Sequence, residues 1–410
     1  MSIDSGDTAW LLISTALVML MTPALALFYG GMVRRKNVLS TIMMSFSILA
    51  LVSILWVIYG YSFSFGPDRS GIIGGSDWLA LMGVGQGPSS IYATTVPHLA
   101  FMMFQGMFAI ITVALITGGI VDRVKFSALL IFATLWFTLV YCPVAHWVWG
   151  NGGWLARLGA LDFAGGTVVH INAGISALAL TLVLGPRRGF KERILMEPGN
   201  IPMVVLGAAL LWFGWFGFNA GSALTAGGLA SNAFVTTNTA AACAAFTWMI
   251  LSWINRRPSV LGAATGSVVG LVAITPSAGF VQPWAGIPIG IIAAVLSYYV
   301  MLWRNKVNKI DESLDVFACH GIGGIWGALA TGIFATTAVN PVGSGLIDGN
   351  GKQVLIQVAA IAVTMIFAFA MTWLLAKLVN VTIGLRVTPE EETVGLDISQ
   401  HGERAYGGLR

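Results

Sequence analysis

Long apolar runs separated by short polar segments dominate the chain. An α-helix needs about 20 mostly apolar residues to cross the hydrocarbon core of a bilayer. The pattern therefore predicts eleven membrane spans, at residues 8–30, 38–65, 97–120, 125–150, 163–185, 200–222, 233–254, 259–277, 283–303, 315–338 and 354–380. We expect an all-α polytopic membrane protein, with a transmembrane domain over residues 1–380 and a polar C-terminal tail over residues 381–410.

Composition supports a protein that lives in the bilayer. The chain is 57% hydrophobic and 9% charged, whereas soluble proteins carry about 25% charged residues. Its net charge of +4 is small and gives no reason to expect a nucleic-acid partner. Cys142, Cys243 and Cys319 all lie in apolar runs, which indicates packing roles and no disulfide framework or metal cage. The chain shows no signature of a cofactor.

The basic residues are distributed unevenly between the loops. All but three of the 21 Lys and Arg residues fall in alternate loops or in the tail, the exceptions being Arg69, Arg157 and Lys352. Cytoplasmic loops carry the excess of Lys and Arg in membrane proteins. We therefore expect a multi-pass protein of the cell inner (plasma) membrane, with the N-terminus outside and the C-terminus in the cytoplasm.

The order of the spans predicts an inverted repeat. Spans one to five begin outside and spans six to ten begin inside, so two related five-helix halves have opposite topology, with an eleventh helix added. Transporters built in this way hold their site near the bilayer midplane. The segment 28–31 in span one is echoed by 218–221 in span six, and His170 and His320 occupy matching spans.

Two histidines lie inside these apolar runs. Asp162 precedes His170 by eight positions, and Asp315 precedes His320 by five. At 1.5 Å per residue the histidines lie about 12 Å and 7 Å from these aspartates, approaching the midplane from opposite sides. Ionisable residues at membrane depth mark pathways more often than packing. Two neutral imidazoles that share a hydrogen bond leave their other nitrogens for a pore, although a pair bonded to backbone carbonyls is the simpler alternative.

Aromatic residues converge on the outer ends of several spans. Phe104 and Phe108 are four apart on one helical face, and so are Phe218 and Ser222. Together with Trp149, they offer π-faces that attract a cation by roughly 0.5–2 kcal/mol and a hydroxyl acceptor. A weak cation site above the histidines is the resulting hypothesis. The alternative for each residue alone is packing or a place in the interfacial aromatic belt.

Asp162 has two interpretations. Its carboxylate either coordinates a cation or caps the start of span five. The glycine pair 165–166 immediately after it favours a tight turn in which the carboxylate accepts backbone N–H groups. We expect the capping role, with indirect help to a cation through the negative charge.

The segments 162–172, 212–222 and 315–324 resemble the hallmark segments of the ammonium transporter family (Amt/Mep). The resemblance covers nearly the whole chain, from residue 28 to the tail. It implies that His170 and His320 are twin pore histidines, that Trp149, Phe104 and Ser222 form an outer ammonium site with Asp162 below it, and that Phe108 and Phe218 form a stacked gate. Because both Trp149 and Ser222 are present, the Amt branch is favoured over the related Rh proteins.

Membership of this family implies a channel-like ammonium transporter and no enzymatic activity. It also implies a homotrimer with one pore in each subunit. Residues 395–407 are similar to the family's cytoplasmic C-terminal region, which contacts a neighbouring subunit and can be engaged by PII-type signal proteins.

Two other functions are compatible with the same residues. An ammonium receptor binds at the same site and signals through its C-terminal region. A redox membrane protein uses two histidines on two helices as axial haem ligands, although no second histidine pair supports this hypothesis.

Overall fold

A computed structural model describes residues 2–407, and this part of the chain is mostly helical. The last three residues of the predicted tail lie outside it. The α-helices are α1 (Ser5–Met32), α2 (Val38–Leu55), α3 (Tyr61–Phe65), α4 (His98–Ile116), α5 (Phe126–Trp136), α6 (Cys142–Trp149), α7 (Trp154–Leu158), α8 (Asn172–Leu184), α9 (Ile201–Gly221), α10 (Gly228–Asn255), α11 (Val260–Ile274), α12 (Gly286–Val307), α13 (Gly323–Phe334), α14 (Gly351–Thr382), α15 (Pro389–Val394) and α16 (Leu396–His401).

Ten helical segments of the described chain are long and apolar enough to cross a membrane: Ser5–Met32, Arg35–Phe65, His98–Gly119, Phe126–Leu158, Gly166–Leu184, Ile201–Gly221, Gly228–Asn255, Pro283–Val307, Phe317–Phe334 and Gly351–Thr382. Each coincides with a predicted span. The remaining predicted span, 259–277, contains α11, which is apolar but has only 15 residues.

Helix α10 begins five residues before the predicted start of its span. Asn232, a polar residue in this added turn, is accommodated by contacts with a neighbouring segment. The amide of Asn232 donates to the carbonyls of Ala278 and Val281, at 3.1 and 2.9 Å. A polar side chain inside a membrane helix is tolerated when its hydrogen bonds are satisfied within the protein, and the sequence alone does not show that partner.

Four π-helical segments interrupt or open the long helices. Trp56–Gly60 joins α2 to α3, and Phe137–Tyr141 joins α5 to α6. Gly166–Ile171 leads into α8, and Phe317–Ile322 leads into α13. Such segments are rare and occur often at functional sites. The last two contain His170 and His320, one in each half of the chain.

Short strands cover one end of the bundle. We call the end at which α1 begins the N-terminal face, and the end at which α1 finishes the C-terminal face. Strands β1 (Asp68–Arg69) and β2 (Ile73–Gly74) form one antiparallel hairpin, and β3 (Pro88–Ser89) pairs with β4 (Ala93–Pro97). The backbone N–H of Asp4 donates to Thr95 in β4 at 2.8 Å, which places these hairpins at the N-terminal face.

Helices α1 and α9 pack closely along their lengths. Glycines make this possible. A Cβ on Gly207 would lie 2.4 Å from the backbone nitrogen of Phe28, and one on Gly214 would lie 2.4 Å from the side chain of Met21. Small residues that let backbones approach are the usual basis of helix association in membranes.

The two histidine-bearing segments cross at a second close contact. A Cβ on Gly174 would lie 2.2 Å from the backbone nitrogen of Gly321 and 2.5 Å from its Cα. Backbone therefore touches backbone at this point. The crossing lies four residues after His170 and one residue after His320, so it fixes the separation of the two imidazoles.

The tail packs on the C-terminal face of its own chain. The buried Glu392 accepts from the backbone N–H of Arg188 at 2.7 Å and pairs with the Arg386 guanidinium at 2.7 Å. Lys36 donates to the carbonyls of Glu392 and Thr393, at 2.9 and 2.6 Å. The acidic run at 390–392 is therefore only partly solvated, because its third carboxylate is held between basic loops.

A second contact seats α16. The buried Asp397 carboxylate accepts the backbone N–H of Ser40 at 2.8 Å, and the Asn37 side chain accepts that of Leu396 at 2.8 Å. Desolvation raises the pKa of Asp397 above its ordinary value, and the hydrogen bond from Ser40 opposes that rise. Asp397 thus caps the start of α2, and Asn37, directly before α2, holds the start of α16.

The glycine crossing generates a first prediction. Gly174→Ala forces a methyl group onto the backbone of Gly321, and overpacking of this kind costs about 1–3 kcal/mol. We expect a lower midpoint of thermal unfolding, measured in detergent as loss of the monodisperse species. Gly228→Ala in α10 is the matched control, since nothing lies within 4 Å of its new Cβ and alanine favours a helix. Equal midpoints for the two variants would show that the crossing is looser than described.

Candidate functional site

His170 and His320 lie in contact in the middle of the bundle. Their Nδ1 atoms are 3.3 Å apart and both side chains are buried. One Nδ1 must therefore carry the proton and the other must accept it. In a neutral pair the donating ring then has a bare Nε2, and the accepting ring has an Nε2–H. The pair consequently presents one acceptor and one donor to whatever lies beside it.

Aromatic rings enclose His170. Trp215 stacks on it with ring centroids 5.4 Å apart and an interplanar angle of 26°, and Phe218 lies 6.0 Å away at 20°. The indole N–H of Trp215 is directed to Thr275 Oγ1 at 2.8 Å, away from the imidazole. The Nε2 of His170 has no hydrogen-bond partner among residues 2–407. It borders a cavity of about 10 Å³, walled by apolar side chains together with His320, which is about the space of one water molecule.

A pair of phenylalanines separates this narrow cavity from the N-terminal face. The rings of Phe108 and Phe218 are 4.3 Å apart and inclined at 39°, so they are tilted and not parallel. Phe218 borders the narrow cavity, and Phe108 borders a larger cavity above it. Both side chains are buried. The packed pair therefore lies where the two cavities approach each other, and its role as a gate stays a prediction.

The larger cavity, of about 210 Å³, lies at the N-terminal face and is bordered by Trp149, Ser222 and Asp162. Trp149 stands edge-on to Phe108, 5.7 Å away at 89°, and donates its indole N–H to the carbonyl of Asp162 at 2.9 Å. The Ser222 hydroxyl donates to the carbonyl of Phe218 at 2.8 Å. Its proton is therefore occupied, and its oxygen lone pairs are left to accept from a ligand.

Phe104 is placed differently from the other predicted residues. Its fully buried ring packs against Phe108, with centroids 4.9 Å apart, and it does not border the cavity that holds Trp149 and Ser222. It also lies close to Gly221 of α9. Its position is that of a support behind Phe108.

The carboxylate of Asp162 accepts four backbone hydrogen bonds. Gly165 and Gly166 donate to Oδ1, both at 2.7 Å, and Thr167 and Val168 donate to Oδ2 at 2.8 and 3.2 Å. These are the unpaired N–H groups at the start of the segment that holds His170. This geometry agrees with the capping role favoured by the sequence. The carboxylate reaches the cavity wall with its oxygens already engaged by the backbone.

Asp315 precedes His320 in the sequence, but Glu312 is the carboxylate that caps the segment holding His320, as Asp162 caps the segment holding His170. Glu312 precedes His320 by eight residues, as Asp162 precedes His170, and accepts the backbone N–H of Phe317 at 2.9 Å. Asp315 instead has a positive φ of 57° and forms an ion pair with Arg304 at 2.6 Å. The eight-residue spacing was a signal in the sequence, and the change from Asp to Glu obscured it.

Glu312 is a buried acid at the C-terminal face. Desolvation raises its pKa to about 7, and the Arg304 guanidinium, 3.9 Å away, opposes this rise. The neighbouring Asp315 borders a wide cavity of about 600 Å³ that reaches His320. His320 borders both this cavity and the narrow one, so the histidine pair lies between the two.

Gln105 was also absent from the predicted site. It borders the 210 Å³ cavity, and its Oε1 is buried without a hydrogen-bond partner within the described chain. An unpaired buried carbonyl oxygen is costly and is suited to a ligand that donates hydrogen bonds. It follows Phe104 directly in the sequence, where a glutamine inside an apolar helix was the available signal.

The geometry argues against haem ligation by the histidine pair. A metal held between two imidazole nitrogens needs about 2 Å for each bond, and the facing nitrogens are only 3.3 Å apart. The other faces of the His170 ring are occupied by Trp215 and Phe218. No cluster of three or more metal-ligating residues occurs within residues 2–407.

Long apolar helices that enclose two contacting histidines, with a cavity at each face, define a polytopic membrane protein. The profile of the Ammonium Transporter Family matches residues 9–406, and the chain belongs to that family. The family consists of transporters and not of enzymes.

Relatives and solved structures agree with this assignment. The chain is 52% identical to an ammonium transporter of Bacillus subtilis, over 98% of both chains. It is also 52% identical to the ammonium transporter Amt1 of Archaeoglobus fulgidus, over 98% of this chain and all of the relative. Among solved structures, Mep2 of Saccharomyces cerevisiae has a TM-score of 0.89 at 35% identity, covering 95% of this chain and 88% of Mep2. A sensor Amt protein has a TM-score of 0.88 at 30% identity, covering 97% and 98%.

The capping geometry of Asp162 generates a second prediction. Asp162→Asn places an amide donor against two backbone N–H donors, and each lost charge-assisted hydrogen bond costs about 1.5–3 kcal/mol. We expect a clear fall in the thermal unfolding midpoint. Asp348→Asn is the control, because that carboxylate accepts only the N–H of Thr337, at 3.0 Å, on an exposed loop. A direct cation ligand would behave differently: stability would stay near wild type, and only the half-saturation concentration for ammonium would rise.

Proposed function

We propose that the chain conducts ammonium across the membrane by binding the cation at the N-terminal face, removing a proton at or below the phenylalanine gate, and passing ammonia beside the histidines. One observation carries this proposal. A cavity bordered by Trp149 and Ser222, a phenylalanine pair, a space of about 10 Å³ at the histidines and a wide C-terminal cavity follow one another through the bundle.

Selectivity follows from the chemistry of these steps. Ammonium and potassium have similar size and charge, but only ammonium donates hydrogen bonds and can lose a proton. The π-face of Trp149 attracts either cation, whereas the lone pairs of Ser222 and the oxygen of Gln105 favour one that donates. The dry constriction then excludes an ion that keeps its charge, because desolvating an ion is far more costly than desolvating a neutral molecule.

The histidine pair suits a neutral solute. Ammonia is both a donor and an acceptor, and the pair offers one Nε2–H and one bare Nε2. The single-molecule dimensions of the cavity allow passage one molecule at a time. The aromatic rings beside His170 keep bulk water from replacing these contacts.

The proposed architecture has eleven spans, with α11 counted as the eighth, in two inverted five-helix halves followed by α14. Three observations support it: the paired π-helical segments at His170 and His320, the acids eight residues before each, and the packing of α1 on α9. We further propose that residues 1–380 form the transport domain and that residues 381–410 form a cytoplasmic tail.

The orientation and assembly belong to the same proposal. The charge bias places the N-terminal face outside and the tail in the cytoplasm of the plasma membrane. The subunits form a homotrimer with a pore in each, and the C-terminal face, with its docked tail, is the surface available to a PII-type regulator. The exposed apolar residues along the long helices suit contacts with lipid or a second subunit.

An ammonium receptor is the second candidate, and the likeness to a sensor Amt protein favours keeping it. Current recording on proteoliposomes after an ammonium pulse, combined with internal pH measurement, separates the functions. A current indicates electrogenic transport, and internal alkalinisation without current indicates ammonia passage. Absence of both, with retained ammonium binding, would overturn the transport proposal in favour of the receptor.

The histidines provide a third prediction. Replacing both with alanine, His170→Ala with His320→Ala, removes the donor and acceptor of the pore and widens the 10 Å³ space. We expect impaired ammonium flux or a loss of discrimination against potassium, with the oligomer intact in size-exclusion chromatography. His401→Ala in the tail, distant from the path, is the control. Wild-type discrimination in the double variant would exclude the twin-histidine mechanism.

A fourth prediction concerns the binding cavity. Trp149→Leu with Ser222→Ala removes a π-face and a hydrogen-bond acceptor, so we expect the half-saturation concentration for ammonium to rise about two- to thirtyfold, as a loss of roughly 0.5–2 kcal/mol implies. Maximal flux at high ammonium should change much less. Trp284→Leu, an exposed tryptophan on another element, is the control. An unchanged half-saturation concentration in the double variant would show that these residues only pack at the membrane interface and do not bind the cation.

A further inference from the structure

A buried histidine outside the pore lies one helical turn from Trp149, which borders the cavity at the N-terminal face. His146 is in α6, three residues before Trp149, and its side chain is fully buried. Its Nδ1 is 3.0 Å from the carbonyl oxygen of Ser64, and its Nε2 is 3.0 Å from Oδ1 of Asp68 in β1. Both ring nitrogens thus face oxygen atoms of other elements.

The number of available protons restricts the state of this pair. A carbonyl oxygen only accepts, so Nδ1 must carry a proton. An ionised carboxylate also only accepts, so Nε2 must carry one as well. His146 is then an imidazolium beside a carboxylate. The alternative is a neutral imidazole that accepts a proton from a protonated Asp68.

The surroundings of Asp68 favour the ionised pair. The same Oδ1 also accepts the backbone N–H of Gly71 at 2.6 Å, which requires a lone pair. The hydrogen bond from His146 holds the pKa of Asp68 below its ordinary value, and the nearby Arg157 guanidinium acts in the same direction. The other charged groups of this hairpin, Arg69 and Asp77, pair with each other at 3.6 Å.

The chain on both sides of Trp149 is shaped around the pair. His146 precedes it on α6, and the loop that follows Trp149 folds back onto the same two side chains. A Cβ on Gly150 would lie 2.4 Å from Nδ1 of His146. Gly152 has a positive φ of 94°, and a Cβ there would lie 2.6 Å from Cβ of Asp68. Asp68 and His146 therefore hold the helix end and the loop between which Trp149 projects.

We propose that Asp68 and His146 are positioning residues for the cation site. They form an ion pair that orients Trp149, and the Asp68 carboxylate balances the positive charge of the imidazolium close to that tryptophan. This inference rests on the proposed binding of ammonium at Trp149. The negative charge of Asp68 matters, because an unbalanced positive charge on His146 would repel the cation that Trp149 attracts. The pair is therefore expected to affect binding more than passage through the pore.

Transport kinetics test the positioning role. Asp68→Ala should raise the half-saturation concentration for ammonium about tenfold, a change comparable to that of Trp149→Leu, while maximal flux stays within about twofold. Asp68→Asn should recover part of this loss, because its amide donates to a bare Nε2 and keeps the contact without the charge. Asp77→Ala is the matched control on the same hairpin and should behave as wild type.

Two kinetic outcomes separate this inference from the function on which it rests. If Trp149→Leu itself leaves the half-saturation concentration unchanged, the binding site is wrong. If Trp149→Leu raises it while Asp68→Ala does not, the site stands and the positioning role is overturned. A parallel loss of maximal flux and of folded protein in Asp68→Ala, without recovery in Asp68→Asn, would also overturn it.

The protonation state of His146 can be measured without a transport assay. Nitrogen-15 NMR of the full chain in bilayers, labelled at its five histidines, distinguishes an imidazolium from a neutral ring. We expect one imidazolium signal that is missing in both His146→Gln and Asp68→Asn, because both ring nitrogens face oxygen acceptors in the wild type. A wild-type spectrum with neutral rings only, or an imidazolium that persists in His146→Gln, would overturn the ion pair.

Discussion

The contact of backbone with backbone at Gly174 and Gly321 is the constraint on which the central path depends. It brings two helices from different halves of the chain to a separation that no larger residue permits. At this separation the Nδ1 atoms of the two histidines are 3.3 Å apart. Both segments are π-helical where the imidazoles project.

The need of buried backbone groups for hydrogen-bond partners explains the arrangement around this contact. In an apolar medium each unpaired backbone group costs several kcal/mol, so the start of each histidine segment needs a cap. Asp162 accepts four backbone hydrogen bonds at the start of one segment, and Glu312 accepts the backbone N–H of Phe317 at the start of the other. Both acids thus act first as structural partners. Among the buried side-chain atoms without a hydrogen-bond partner in the described chain, His170 Nε2 and Gln105 Oε1 belong to residues that border the path.

Much of this organisation could be predicted from the sequence. Apolar length located every long helix of the described chain, and helical spacing placed Phe218 and Ser222 on one face of their helix, since such periodicity depends only on local geometry. Contacts between distant segments could not be read in the same way. The Asn232 bonds that allow α10 to begin early, the place of Phe104 behind Phe108, and the proton shared by His146 and Asp68 all depend on partners from other elements.

The π-helical segments give the path an unusual sensitivity to chain length. A π-turn accommodates one more residue than an α-helical turn, and each residue of an α-helix corresponds to a rotation of about 100°. Removing one residue from Gly166–Ile171 and letting the segment relax into an α-helix would therefore offset the wider turn and leave α8 in nearly the same orientation. Inside the segment, however, the wide turn that carries the imidazole would close, while hydropathy, charge and span length stayed nearly the same. A single deletion at this point would thus change the geometry of the path and little else in the fold.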